Sequence, residues 1–549
     1  MKKFSSGQVG KWAGVQVDKW TSGQVGRWQV IGNNQPAANN NKPFTDHRLP
    51  FTVFLITVYC LLISACSLAN PPRLATATAQ AAFTPTPSPE PLILSVATPT
   101  AVSNTTNPEQ PISADPNPSI TVWVNETSNA HQEMLDEMAT NFSAEYSVDV
   151  EMVLVSPQIL PDLVNTAVLS DTLPDIILHP LEYSVGWAEQ GVFDVTANAE
   201  VLANLDPATF NPEALELVQT SLGQAAALPN SGYHQLIIYR TDWFAQRNLG
   251  EPNSFAALSA AAEATTDRDN LISGFVVPTE ANLVTTQQIF EHMALANGCQ
   301  LVNESGELTL LNPACAEALN FYYTIINQNS PIGVQTDTST RNAYLAGRTG
   351  LIMGPPSLLP QLAGLDPAAP PTCPECTATP DFLAQNSGFV TALNGAEFGN
   401  MSLLGITTAA ERETAVLFTT YWFNEGYEQW LSVDPERKVP MRLGTQANPR
   451  QYIDSWGTQP LAGSDHTLTS LYGEAIVATL REGIATTGRW GLPQGQGDLV
   501  TTLYEELTLS IVLQEMLSGY FSIDTSIIEA YNRIIELIPN YAFPNLTEE

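Results

Sequence analysis

An α/β fold in two lobes is what residues 119–540 predict, and three observations carry it. Ile120-Thr121-Val122-Trp123-Val124 alternates as a strand does, Met134, Met138 and Phe142 mark one helix face at i, i+4 and i+8, and Val148-Asp149-Val150-Glu151-Met152 is strand-like again. That order is a βαβ unit, and its crossover implies a parallel sheet. About 430 residues of folded chain exceed one comfortable core, so two lobes are expected.

The elements follow in order. Pro174-Asp175-Ile176-Ile177-Leu178 supplies another strand, followed by a short helix through Trp187 and Ala188 that ends near Gly191. Ser254 is placed to cap a helix over Phe255 to Thr265, because its hydroxyl can accept from the first free backbone N–H groups. Asn312 with Pro313 starts the next, since a proline at the first helical position loses no hydrogen bond, and Gly347 closes another. After Thr525 the last helix stacks Ile527, Ile528, Tyr531, Ile535 and Ile538 on one side.

Upstream of this domain the chain is built differently. Residues 1–50 repeat a motif, Ser5-Ser6-Gly7-Gln8-Val9-Gly10-Lys11-Trp12, with a period far below any solenoid unit, and read as a non-native or disordered extension ahead of the true start. His47 and Arg48 then precede the apolar run from Phe51 to Ala65, too short for a comfortable membrane span and suited to a signal peptide. Residues 67–118 are rich in Pro, Thr, Ala, Ser and Asn, with few large apolar groups, and are expected to form a disordered tether.

Charge narrows the partners. Residues 1–66 hold seven of the 21 basic and two of the 56 acidic residues, which leaves 14 basic against 54 acidic groups and a formal charge of −40 downstream. Such a surface repels phosphate backbones and anionic headgroups, so nucleic acid is excluded and any membrane attachment must be other than electrostatic. Lys438 is the only lysine after residue 66.

Four of the six cysteines lie in the folded part, Cys299, Cys315, Cys373 and Cys376, an even set suited to an oxidising compartment. A Cys299–Cys315 bridge would tie a helix C-terminus to the next helix start and contribute about 3 kcal/mol by constraining the unfolded chain. Cys373-Pro-Glu-Cys376 has redox spacing but sits in a Pro-rich loop rather than at a helix N-terminus, which favours a loop disulfide over zinc or redox chemistry. The pattern contains no HExxH and no Gly-x-Ser-x-Gly, Lys438 belongs to no phosphate loop, and the histidines show no metal spacing. No catalytic residue, metal or cofactor is therefore expected. A glycoside hydrolase with paired carboxylates stands as a minor alternative, because such a pair leaves no linear signature.

Several ordered segments resemble the extracellular solute-binding proteins of ABC importers, in the family that includes maltose-binding protein. They are Leu173-Pro174-Asp175-Ile176-Ile177 with Trp187-Ala188-Glu189-Gln190-Gly191; Ala227-Leu228-Pro229 through Ile238-Tyr239-Arg240-Thr241-Asp242-Trp243-Phe244; Ala343-Tyr344-Leu345-Ala346-Gly347-Arg348-Thr349-Gly350-Leu351; and Leu517-Ser518-Gly519 with Glu529-Ala530. Ile63-Ser64-Ala65-Cys66 resembles a bacterial lipobox, in which Cys66 carries the lipid. The resemblance implies a periplasmic-binding-protein-like fold, with lobe 1 at about 119–231 and 386–445, lobe 2 at about 236–380 and 447–540, several crossovers, and a ligand cleft between lobes that close by hinge motion. It implies a lipid-anchored monomer on the outer face of the bacterial cytoplasmic membrane, delivering a small solute, a carbohydrate first, to the transmembrane subunits of an ABC permease. The alternative ligands are polyamine-like cations, and a ligand-sensing lobe is the alternative role.

Candidate ligand contacts follow from position in those motifs. The loop after the first strand offers Asn125 and Glu126, and the loop after Leu178 offers Glu182 and Tyr183. Glu182 falls where the family has a ligand-contacting carboxylate, although an acid near a helix start is favoured there anyway. Tyr233 lies in the first crossover, with Gln235 beyond it, where its ring could stack on a sugar or pack in the hinge. Asn282 opens a helix running to Gly298 and could be either contact or N-cap. Pro356 and Ser357 replace an aromatic residue common in the family. Arg489 and Trp490, in Gly488-Arg489-Trp490-Gly491, could restore the missing platform, with a lid or a core plug as the competing role for Trp490.

Overall fold

The computed structural model describes residues 118–482 and 487–537. The N-terminal extension, the signal segment with Cys66, the tether and Ile538 lie outside the described residues.

The chain opens as its pattern dictates. β1 (Ser119–Val124), α1 (Asn129–Tyr146) and β2 (Asp149–Leu154) form the βαβ unit, with β1 and β2 parallel from Ser119 against Asp149 to Val124 against Leu154. Met134, Met138 and Phe142 all point into the core from α1, and Ser128 caps that helix by accepting from the His131 N–H. β3 (Ile176–Pro180) joins β1 in parallel and runs directly into α2 (Leu181–Glu189). β4 (Leu228–His234) is followed after a single residue, Gln235, by β5 (Leu236–Arg240).

Beyond this crossing come β6 (Ser273–Val276), α3 (Val284–Ala296), α4 (Pro313–Asn329), α5 (Asp337–Leu345), β7 (Thr349–Gly354) and β8 (Ser387–Val390). The chain then returns through β9 (Ala396–Ile406) and β10 (Val439–Pro440), and ends in α6 (Gly497–Glu505), α7 (Thr508–Leu517) and α8 (Ile523–Leu537).

Two sheets result. The first has the order β10-β4-β9-β3-β1-β2, with two short strands attached to β9, and the second the order β6-β7-β5-β8. In the first, β9 runs antiparallel to both β3 and β4, so a parallel unit is closed by a returning strand. In the second, β6 and β7 are parallel while β5 opposes β7 and β8. Each sheet has its own apolar core: Val122, Leu135, Phe142 and Trp422 fill one, and Phe275, Met293, Tyr322 and Leu513 fill the other.

Three details differ from expectation. β8 pairs with β5, so the return to the first sheet falls after Val390 rather than at 386. In α8 the fully buried stripe is Ser526, Ala530 and Ile534, with the expected Ile527 and Tyr531 half-buried against the same core and Ile528 exposed, because the helix packs centred on its Ala530 face. The helix after Asn282 begins at Val284 with Leu283 at the N-cap position, so Asn282 caps nothing. Both expected disulfides, Cys299–Cys315 and Cys373–Cys376, are present, the first tying the turn after α3 to the start of α4.

Candidate functional site

The loop after β1 and the start of α2 face the starts of α3 and α5 across a cleft between the two sheets. Glu182 and Tyr183 get there because β3 has no loop after it: the ladder ends at Pro180, which has no N–H to carry it on, and α2 begins at once. Asn125, Glu126, Glu182, Tyr183, Tyr233 and Asn282 line one cavity of about 310 Å³, at the lower end of small-ligand pockets. Ser357 lines an adjoining cavity of about 170 Å³, which shares Tyr233, Thr285, Gln288 and Asp337 with the first.

Glu126 is fixed from the side, its Oε2 2.5 Å from an Arg437 nitrogen that also reaches Asp434. Behind it, the fully buried His131 accepts or donates at both ring nitrogens, to the Ser128 hydroxyl at 2.7 Å and to Lys438 Nζ at 2.8 Å. Lys438 also donates to the Trp430 carbonyl and lies 3.5 Å from the Trp430 ring centroid. Burial is the main reason the lysine is pushed down to about 7, with the Glu126 charge opposing the shift.

Glu182 is 2 % exposed and opens only onto the cleft. One carboxylate oxygen accepts weak bonds from Gln288 and Asn400 at 3.4 Å, and the other stands 3.7 Å from Arg489 with no hydrogen bond among the described residues. Burial raises its pKa and Arg489 opposes that rise. Arg489 is committed mainly to Glu291, whose two oxygens also accept from the Trp490 backbone N–H at 2.8 Å and the Tyr504 hydroxyl at 2.6 Å. Tyr233 is pushed up to about 12, by burial first and the Glu182 charge second.

Two expectations change here. Arg489 stands behind Glu182 rather than on the cleft wall, since two buried carboxylates hold its guanidinium in place. Trp490 is a core plug: it is 1 % exposed, packs edge-on to Phe290, and donates its indole N–H to the Cys299 carbonyl. Burying a large indole with its one donor satisfied is more favourable than leaving it open to the cleft.

Sequence reasoning missed Asp162, Asn400, Arg437 and Glu505, which also line the larger cavity, and Arg341 and Phe398, which line the smaller. Arg437 carried a signal, a cation beside the chain's lone downstream lysine in an acidic protein. Asn400 lies in the middle of a strand, and no local pattern distinguishes it.

The profile of the family described as "Bacterial extracellular solute-binding protein" matches residues 137–452. Among curated proteins, YcjN of Escherichia coli (strain K12), by name an ABC transporter periplasmic-binding protein, is 26% identical over 333 residues, which span 59% of this chain and 73% of YcjN. Among solved structures, an ABC transporter solute-binding protein from Thermotoga lettingae bound with α-D-tagatose superposes with a TM-score of 0.59 at 18% identity, over 76% of this chain and 99% of that one. Maltose-bound MalE3 of T. maritima does so with a TM-score of 0.59 at 16% identity, over 76% and 100%. A ribitol complex from Agrobacterium radiobacter gives 0.57 at 16%, over 77% and 99%. At these identities the structural likeness speaks to the fold.

Proposed function

The chain belongs to the bacterial extracellular solute-binding protein family, and on that footing we propose that its cleft captures a neutral polyhydroxylated solute, a sugar or polyol, and presents it to an ABC permease. The observation that carries this reading is the meeting, in one cavity, of groups from both sheets that pair with hydroxyls: the carboxylates of Glu126 and Glu182, the amides of Asn282, Gln288 and Asn400, and the rings of Tyr183 and Tyr233. Carboxylates and amides accept and donate in the fixed directions that vicinal hydroxyls need. The sugars and polyols in the similar structures support the same class. The binding residues act by capture and orientation, with no bond-breaking step.

A second reading is favoured by one feature, the surplus of acids. Asp162, Glu182, Asp337 and Glu505 line the cavity, whereas its cation Arg437 is engaged by Glu126 and Asp434. An amine would be drawn to such a wall. Glu182→Gln separates the two readings: it weakens a polyamine at least tenfold and a neutral sugar only slightly if an ammonium sits there. A sugar that binds the native protein while spermidine does not settles it for the polyol class, and equal small losses for both ligands take Glu182 out of the site.

Attachment to the membrane completes the reading. A lipid on Cys66 would hold the receptor beside its permease, since a domain this acidic gains nothing from anionic headgroups. Palmitate labelling of the full chain that persists in Cys66→Ala would contradict it.

A further inference from the structure

The two cavities differ in chemistry although they share four lining residues. The larger is walled by carboxyl and amide groups. The smaller has one apolar wall, of Ile238, Ile289, Ile352, Met353, Pro355 and Phe398, and a polar rim that includes Gln235, Arg341 and Gln361. We propose that the ligand is amphiphilic: a sugar or polyol in the polar chamber carrying an alkyl or aryl substituent that fills the apolar one. This rests on the sugar reading of the cleft and names its substrate class.

The argument is one of satisfaction. A second hydroxylated ring in the smaller chamber would find partners on the polar rim only, and its hydroxyls turned to the aliphatic wall would lose water without a partner, which opposes binding. Sugar rings bind apolar surface by laying a face on an aromatic ring, and the wall of Ile238, Ile289, Ile352 and Met353 offers none; the chamber's rings are Tyr233, shared with the polar chamber, and Phe398. Phe398 is already engaged, with the Arg489 guanidinium 5.0 Å from its ring and the His292 imidazole stacked at 6.0 Å. Pro355 and Ser357 line this wall and offer no aromatic platform. An apolar group, by contrast, gains from every wall atom it covers and asks for no partner.

At the margin of the chamber, Arg341 Nε, Thr340 Oγ1 and Gln361 Oε1 are buried with no hydrogen-bond partner among the described residues. An ether or ester oxygen at the head of the substituent would accept from Arg341 or Thr340, while Gln361 Oε1, an acceptor, takes a donor such as a neighbouring hydroxyl.

Isothermal titration with matched ligands tests this: glucose, galactose, mannose and their phenyl and n-butyl glycosides. At least one glycoside should bind tenfold or more tightly than its parent sugar. Thr338→Phe, on the exposed first turn of α5 at the chamber's edge, should shrink that ratio toward one by filling the space, and Ser357→Phe should do the same from the opposite wall. Parent sugars that bind while every glycoside is equal or weaker overturn the amphiphilic ligand and leave the sugar reading intact. A ratio unchanged in both variants overturns the assignment of the substituent to this chamber. Failure of all sugars and glycosides alike overturns the sugar reading itself, and this inference with it.

Discussion

Glu291, fully buried behind the cleft wall, gathers three partners on one carboxylate. Arg489, the Trp490 N–H and the Tyr504 hydroxyl all converge on its carboxylate, deep in the second sheet's core. Removing one partner of such a cluster leaves the others charged or unpaired in a medium that solvates them poorly. Glu291→Leu is expected to cost about 3–5 kcal/mol in urea unfolding, and Glu182→Gln clearly less, because Glu291 still holds Arg489. Equal losses would show that Arg489 depends on both acids alike.

Lys438 makes a second prediction at the same scale, one read against pH. Its folded pKa is lowered from 10.5 to about 7, chiefly by burial. Below about pH 7 both folded and unfolded chains hold the proton; between about 7 and 10.5 only the unfolded chain does, so native stability rises with pH across that window. Relative to Lys438→Met, the native protein should gain stability at up to about 1.4 kcal/mol per pH unit, seen as diverging urea midpoints from pH 7 to 9. Parallel curves would mean that the amine keeps its ordinary affinity for protons.

Among the elements, α2 and α6 approach each other closely. A Cβ on Gly186 would overlap the Thr501 side chain, and one on Gly497 would overlap Val185, so the two helices approach only because both positions lack a side chain. Thr501 also donates to the Glu182 carbonyl, and Trp187 donates to Glu505, so this contact sets the position of the acid at the cleft. Gly186→Ala should lower stability by about 1–3 kcal/mol through overpacking, and should weaken ligand binding in step, because the end of α2 is displaced; unchanged stability in a calorimetric scan would show that α6 moves aside freely. Replacing Cys299 and Cys315 together by serine should cost about 3 kcal/mol under oxidising conditions, with no effect on a sample already reduced.

How far these elements could be read in advance depended on periodicity. The βαβ start was plain because strand alternation and the Met134, Met138, Phe142 stripe both repeat within a few residues. The α8 stripe was misjudged because isoleucines occupy more than one face of that helix, and only the packing partner decides which face is buried.

For the whole molecule, two lobes, a cleft and its family were legible, since each rests on the order of segments along the chain. The cleft floor was not. β9 brings Asn400 and Phe398 to it from more than 150 residues beyond Tyr233's strand, and α6 brings Glu505 from farther still. Trp490 was misplaced for the same reason: a tryptophan in a Gly-rich stretch looks available until the core that takes it is known. The single-residue crossing at Gln235 is held by its N–H to the Phe398 carbonyl and by its side chain to His292.

Everything at this scale depends on the cleft being a receptor for a small solute. The direct measurement is calorimetric and thermal: titrate the full chain with sugars, polyols, glycosides, polyamines and short peptides, and follow its unfolding temperature. A ligand present at 100 times its dissociation constant adds about 2.7 kcal/mol to native stability, which gives a clear upward shift for one sugar or polyol class. A shift with polyamines alone would contradict the neutral-solute account, and no shift with any class would contradict the receptor account itself.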